Sequence, residues 1–304
     1  MKISRPRPFR SGFTLAELLV AMTITVILVG ITVSITATAL DTWRGARNEV
    51  RAARQARILL DTMESDLQAM VTRNGGDAEW FRVFSDGTMV GPEGEPSPNA
   101  TRMIFFTSAT DRYNGELGTD EEGNAGDVCL VRYELVYGDP IFGEQSNDLA
   151  STFVMYRKLT DPDDTFESFI GTPDLKEAFL GTGVAGQGSA ASYLCENIYE
   201  FSATMVVSYV DDQDGKTTVR VPILSAGRGV AARDFSITGK GLKKDRDDSM
   251  KYASGEVTAI DLSVTVLSDE GMQILKSVTF GSSEKKAKFL AKHTYQYSKS
   301  VAVF

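Results

Sequence analysis

From Leu18 to Leu40 the sequence holds no charged residue, a run of 23 that reads LLVAMTITVILVGITVSITATAL. A helix needs about 20 apolar residues to cross the hydrocarbon of a bilayer, so this run predicts a transmembrane span. The residues ahead of it, MKISRPRPFRSG, carry Lys2, Arg5, Arg7 and Arg10 and no acid. A basic leader of that kind keeps the N-terminus on the cytoplasmic side. A buried core helix is rarely this long without a charge. A cleaved secretory signal is the stronger rival, with Ala37-Thr38-Ala39 as its small-x-small site. Two features oppose it. The run exceeds the roughly 7–15 residues of a signal's apolar region. Glu17 also stands at its front, and an acid at the edge of the hydrocarbon is costly enough to suggest a function.

The helical period continues past the apolar run. Ala46, Val50, Ala53, Leu60, Met63, Leu67 and Met70 recur at steps of three and four or their sums, one stripe of an amphipathic helix. No proline falls between Phe13 and Val71, and Asn74-Gly75-Gly76 is a stop signal. The pattern predicts one helix from Thr14 to Thr72, roughly 90 Å long at about 1.5 Å per residue. Arg44, Arg47, Arg51 and Arg54, with Arg57 close by, form a second stripe. It reads either as a solvated face or as a contact for lipid headgroups or acidic neighbours.

Beyond the glycines the period changes to two. Cys129, Val131, Tyr133, Leu135 and Tyr137 share one strand face. So do Met205, Val207 and Tyr209; Val219, Val221 and Ile223; and Ile260, Leu262, Val264 and Val266. Segments 102–107 and 153–159 are further strands, and Met272, Ile274, Val278 and Phe280 read as a last one. Hairpins are expected through 211–215 and 268–271. Between the strands, 91–99, 114–127, 181–192 and 239–251 read as surface loops. Antiparallel strands after one long helix define an α+β class: a long N-terminal helix, then an antiparallel β-rich head.

The chemistry is sparse. Asp212-Gln213-Asp214-Gly215 imitates part of a calcium loop, but Val210 stands where an acid is needed and the downstream Glu is missing. A turn is the better reading. Asp120, Glu121, Glu122 and Asp127 read as a solvated acidic loop rather than a cation site. One histidine, His293, and two cysteines cannot supply a zinc site of the usual kind or a catalytic triad. No phosphate loop is present, so no metal or cofactor is expected, nor an enzymatic role. A net charge of −9 argues against binding nucleic acid by general electrostatics. Cys129 and Cys195 leave both a disulfide and two buried thiols open.

Gly12-Phe13-Thr14-Leu15-Ala16-Glu17-Leu18-Leu19 resembles the class III signal of type IV prepilins and pseudopilins. The resemblance implies cleavage between Gly12 and Phe13 by a prepilin peptidase, with N-methylation of the new amine on Phe13. It implies that the helix is retained and that Glu17 serves assembly. An unpaired buried charge is expensive, and Glu17 of one chain can neutralise the Phe13 amine of a neighbour. A Glu17 that merely reaches back to the interface is the bland alternative. The implied organisation is a leader over 1–12, a transmembrane helix over 13–40, an amphipathic continuation over 41–72 and a periplasmic β-rich head over 73–304. The implied protein is a minor pilin or pseudopilin, single-pass in the bacterial inner membrane. It would assemble into a filament of a type II secretion pseudopilus or type IV pilus-like kind. Its partners would be the peptidase, other pilin subunits, an inner-membrane assembly platform and membrane lipid. The alternative is a pilin-borne binding module, either an adhesin or a DNA-uptake tip, or a membrane-anchored domain with an unknown ligand. Segments 127–135, 155–159, 194–201 and 260–267 resemble J-type minor pseudopilins. The tail YQYSKSVAVF is similar to that of Verru_Chthon-type prepilin-like cassette proteins.

Overall fold

The computed structural model describes residues 12, 14–87, 90–92, 95–108, 128–140, 150–181, 192–211, 215–227 and 229–303. In it the apolar run and the amphipathic stripe form one α-helix, α1, Leu15–Gln68, of 54 residues. The chain divides within this helix into two units, Met1–Asn48 and Glu49–Phe304.

In the first unit the apolar section of α1 is wholly exposed. It also carries hydroxyls, which would be unfavourable in hydrocarbon without a partner. The five threonine hydroxyls of the run are satisfied within the helix. Thr23, Thr25, Thr32, Thr36 and Thr38 donate to the carbonyls of Leu19, Ala21, Leu28, Thr32 and Ser34, at 2.8–3.0 Å.

The second unit contains the rest of α1 and two antiparallel sheets. The larger sheet comprises β1 (Glu79–Phe84), β2 (Arg102–Thr107), β3 (Cys129–Gly138), β4 (Thr152–Thr160), β5 (Tyr193–Glu196), β8 (Asp234–Thr238) and β9 (Gly241–Lys244). Its order is β5-β4-β3-β2-β1-β8-β9. The smaller holds β6 (Ile198–Asp211), β7 (Gly215–Ile223), β10 (Glu256–Leu267) and β11 (Thr294–Ala302), in the order β11-β10-β6-β7. Helices α2 (Pro162–Ser168) and α3 (Leu175–Gly181) follow β4. Helices α4 (Asp269–Ser277) and α5 (Ser283–His293) lie between β10 and β11. The expected α+β class, a long apolar helix followed by antiparallel sheets, is the observed one.

One core joins α1 to both sheets. Leu59, Leu60, Met63 and Leu67 of the helix pack in a cluster with Phe105, Tyr133 and Met155 of the larger sheet and Met205, Leu262 and Val264 of the smaller. The opposite face of the larger sheet is covered too. Trp80, Phe84, Phe106 and Leu130 bury against Phe169, Leu175 and Phe179 of the α2–α3 segment. Strand β1 therefore has no exposed residue, and its sequence EWFRVF shows no alternation to read.

Several expectations are corrected. Helix α1 stops at Gln68, not Thr72. Its final carbonyls are taken by the end of β2: Thr107 Oγ1 donates to Asp66 O at 3.0 Å, and Ser108 N to Ala69 O at 2.8 Å. Val71 N then donates to Phe106 O at 2.9 Å, which commits the chain to extended pairing. The expected strand through Met272 and Ile274 is helix α4. Ser268 is its N-cap, accepting from Gly271 N at 3.1 Å, so 268–271 is a helix start and not a hairpin. The strand beside β10 is β11, from the tail. Segment 239–251 contains β9, paired with β8 through Ile237 and Leu242. The turn 212–214 and the acidic segment 114–127 lie outside the described residues. Strands β6 and β7 do pair antiparallel on either side of that turn, with Asp211 opposite Gly215.

Candidate functional site

The residues around the expected processing point begin α1. Gly12 is exposed, and Phe13 lies outside the described residues. Thr14 and Glu17 hold each other. Glu17 Oε2 accepts from Thr14 N and Thr14 Oγ1, both at 2.9 Å, while Thr14 Oγ1 faces Glu17 N at 3.3 Å. This is the reciprocal arrangement of a capping box, with Thr14 as the cap and Glu17 three residues on. The Thr-x-x-Glu spacing that announces it is in the sequence. Glu17 also lines a shallow groove with Ala16, Val20, Ala21 and Ile24.

The arginine stripe is not one uniform face. Arg44 Nη1 lies 3.8 Å from Asp41 Oδ1, and the Arg47 guanidinium sits 5.7 Å from the centre of the Trp43 ring. In the second unit Arg51 is a clasp. It bonds Glu196 of β5 at 2.7 Å and also Asp269 at the start of α4. Asn197, between β5 and β6 with φ of 63°, donates to that same Asp269 at 2.8 Å. Lys299 of β11 adds contacts to Asp61 and Glu64 of α1, at 2.7 and 2.6 Å.

Deeper in the same unit Asp66 of α1 is fully buried. Arg157 of β4 grips it with two bonds, Nε to Oδ2 at 2.7 Å and Nη2 to Oδ1 at 2.9 Å, and Tyr133 of β3 donates its hydroxyl to Oδ2. Burial opposes the charge on Arg157, yet the Asp66 bonds outweigh it and hold its pKa above the ordinary value. Burial, with Asp66 beside it, pushes the Tyr133 hydroxyl well up, so it stays a donor.

A cleft of about 660 Å³ opens beside α2 and α3. Arg132 and Lys158 stand opposite each other in its wall, with Asp161, Asp164, Asp174 and Phe169 around them. Burial lowers the pKa of both basic groups. Among the described residues no group of three His, Cys, Asp or Glu side chains could hold a metal ion.

Cys129 and Cys195 are free, buried thiols. Cys195 stands opposite Met155 on β4, whereas Leu130, next to Cys129, stands opposite Thr160. That separation is about 16 Å along the strand, against a disulfide's limit of about 7 Å between Cα atoms. The disulfide left open by the sequence is not formed. Burial pushes the Cys129 thiol up to about 11 and the Cys195 thiol higher still. His293, at the end of α5, is buried beside Phe289, with Nδ1 3.3 Å from Ser268 Oγ.

Residues 7–33 match the family described as the prokaryotic N-terminal methylation motif. The chain carries the prepilin-type signature, and its long apolar helix and antiparallel sheets accompany it. Neither the curated proteins nor the solved structures gave a match. The signature supports a type IV pilin-like or pseudopilin protein. It implies processing by a prepilin peptidase and assembly with other pilin subunits, and it fits a membrane-anchored pilin.

Proposed function

We propose that the protein is a minor pilin or pseudopilin, a structural subunit of a type II secretion pseudopilus or type IV pilus-like filament. The observation that carries this reading is the methylation motif at 7–33 running without a break into an exposed apolar helix. In this reading residues 1–12 are the leader, 13–40 the span, 41–68 its helical continuation and the remainder a periplasmic β-rich head. The peptidase cuts between Gly12 and Phe13 and methylates Phe13. Glu17 neutralises the Phe13 amine of a neighbouring subunit, a pairing that gives register as well as energy. No catalytic step is required of the chain, because its work is to pack helices and present heads. Mass spectrometry of the mature N-terminus tests the proposal. A chain that begins at methylated Phe13 is expected. A chain that begins at Leu40, after Ala39, indicates an ordinary secretory signal and ends the pilin reading.

A further inference from the structure

We infer that Trp43 and Arg47 form a binding site for an anionic glycerophospholipid headgroup at the head-side end of the span. The inference rests on the single-pass reading above and adds the lipid that the helix selects.

The geometry begins from the apolar run. Its midpoint is Val29. At about 1.5 Å per residue Leu40 lies about 16 Å from that midpoint and Trp43 about 21 Å. The hydrocarbon half-thickness is about 15 Å, and the headgroup layer extends to about 20–22 Å. Trp43 thus falls in the headgroup layer, where an indole is favoured because one end is apolar and the other can bond water. Its side chain is 60% exposed, so a lipid can reach it.

Arg47 stands one turn further out. Side chains on a helix lean toward its N-terminus, which here is toward the membrane. The contact observed is the one that lean produces, with the Arg47 guanidinium 5.7 Å from the Trp43 ring centre. A cation held over an indole keeps its planar N–H fork available for a phosphate. Arg44 adds less, because Asp41 lies 3.8 Å from it and offsets its charge. Arg47, which makes no ion pair among the described residues, therefore presents its charge to lipid phosphates beside the indole.

The test uses the mature full-length chain in vesicles of brominated phosphatidylglycerol or brominated phosphatidylcholine, at low protein density. Trp43 fluorescence is the readout. Trp80 is buried in the head, and the Trp43→Phe variant supplies its background. One arginine near an anionic surface is worth about a fivefold preference, so quenching should report phosphatidylglycerol favoured about fivefold. Arg47→Gln should bring the ratio to about one, and Arg44→Gln, which frees Asp41, should lower it as well. A wild-type ratio near one overturns the inference. So does a chain that floats with the vesicles while neither lipid quenches Trp43. Protection of Trp43 that arises only at high protein density, without lipid preference, assigns the patch to an acidic neighbouring chain and also overturns it. A chain that does not float with vesicles overturns the single-pass reading itself, which separates the two failures.

Discussion

Asp66 lies fully buried beside the aromatic and aliphatic side chains of the core, gripped there by Arg157 and Tyr133 on two neighbouring strands. Removing one member of a buried pair leaves the other charged and unsolvated. Asp66→Ala should therefore cost about 3–5 kcal/mol of stability, measured by urea unfolding of the detergent-solubilised chain. Asp66→Ala with Arg157→Met should recover much of that loss, because the orphaned guanidinium goes with it. A loss below about 1 kcal/mol in the single variant would mean that water reaches Arg157 and that the triad does not hold the helix. The triad was half legible. Tyr133 belongs to a strand face readable from its alternation, and Arg157 to a segment expected as a strand. Asp66 sits among polar helix positions such as Glu64 and Gln68, and helical period alone could not say that its turn faces β3 and β4. Glu17 shows the reverse case. Its place in the motif is plain in the sequence, and its bonds to Thr14 belong to the Thr-x-x-Glu spacing of a cap.

At the scale of elements, what could be read depended on how many faces of a strand are covered. Strands β6 and β10 alternate between buried and partly exposed residues, and the sequence shows that alternation. Strands β1 and β8 are buried along their whole length, so their patterns carry no period two. The segment 91–99 reads as a polar loop, yet Asn99 is buried and satisfied by Thr101, Phe201 and Ile223, which ties it to β6 and β7. Helix α4 is hidden in the sequence because Met272, Ile274, Val278 and Phe280 also alternate, and a Ser-Asp-Glu-Gly start suits a turn as well as a cap. The junction of α4 and α5 gives a pH prediction. Ser268 Oγ faces both Gly271 N and His293 Nδ1, and Ser268 N donates to His293 O at 2.8 Å. Burial lowers the His293 pKa; Glu270 works against that shift and Lys292 with it. The folded state then holds the proton less tightly than the unfolded chain, whose imidazole titrates near about 6.5. Stability from this site is present above that value and is lost as pH falls through the lower folded pKa. The urea midpoint of the wild type should drop between about pH 7 and pH 5 more than that of His293→Gln. Parallel curves for the two would remove His293 as the cause.

For the whole molecule the question is whether the chain acts with others of its kind, and Glu17 decides between two uses of one carboxylate. Glu17→Gln keeps an oxygen for Thr14, so the helix still starts where it does, but it loses the charge. A role confined to capping leaves Gln equal to the wild type. A role in neutralising a neighbour's amine makes Gln and Leu both lose co-purification with partner pilins, while cleavage and head stability stay unchanged. For Leu the loss should reach about two to three and a half decades in association, from about 3–5 kcal/mol for an orphaned buried charge. Equal recovery of partners from all three chains would sink the pairing mechanism. The N-terminal signature was legible because it is contiguous and chemically rigid. The surfaces of the head were not, because the cleft wall brings residues 132, 158, 161 and 174 together only after the strands pair. The five threonines of the span bear on how such chains would meet inside lipid. Each hydroxyl proton is already directed at the chain's own carbonyl one turn back. None is left to seek an acceptor on an adjoining helix. Apart from Ser34, recognition along this stretch then falls to contour, at the small residues Ala21, Gly30, Ala37 and Ala39 where backbones can draw close. Past the Glu17 end of the helix, partners would be sorted mainly by fit.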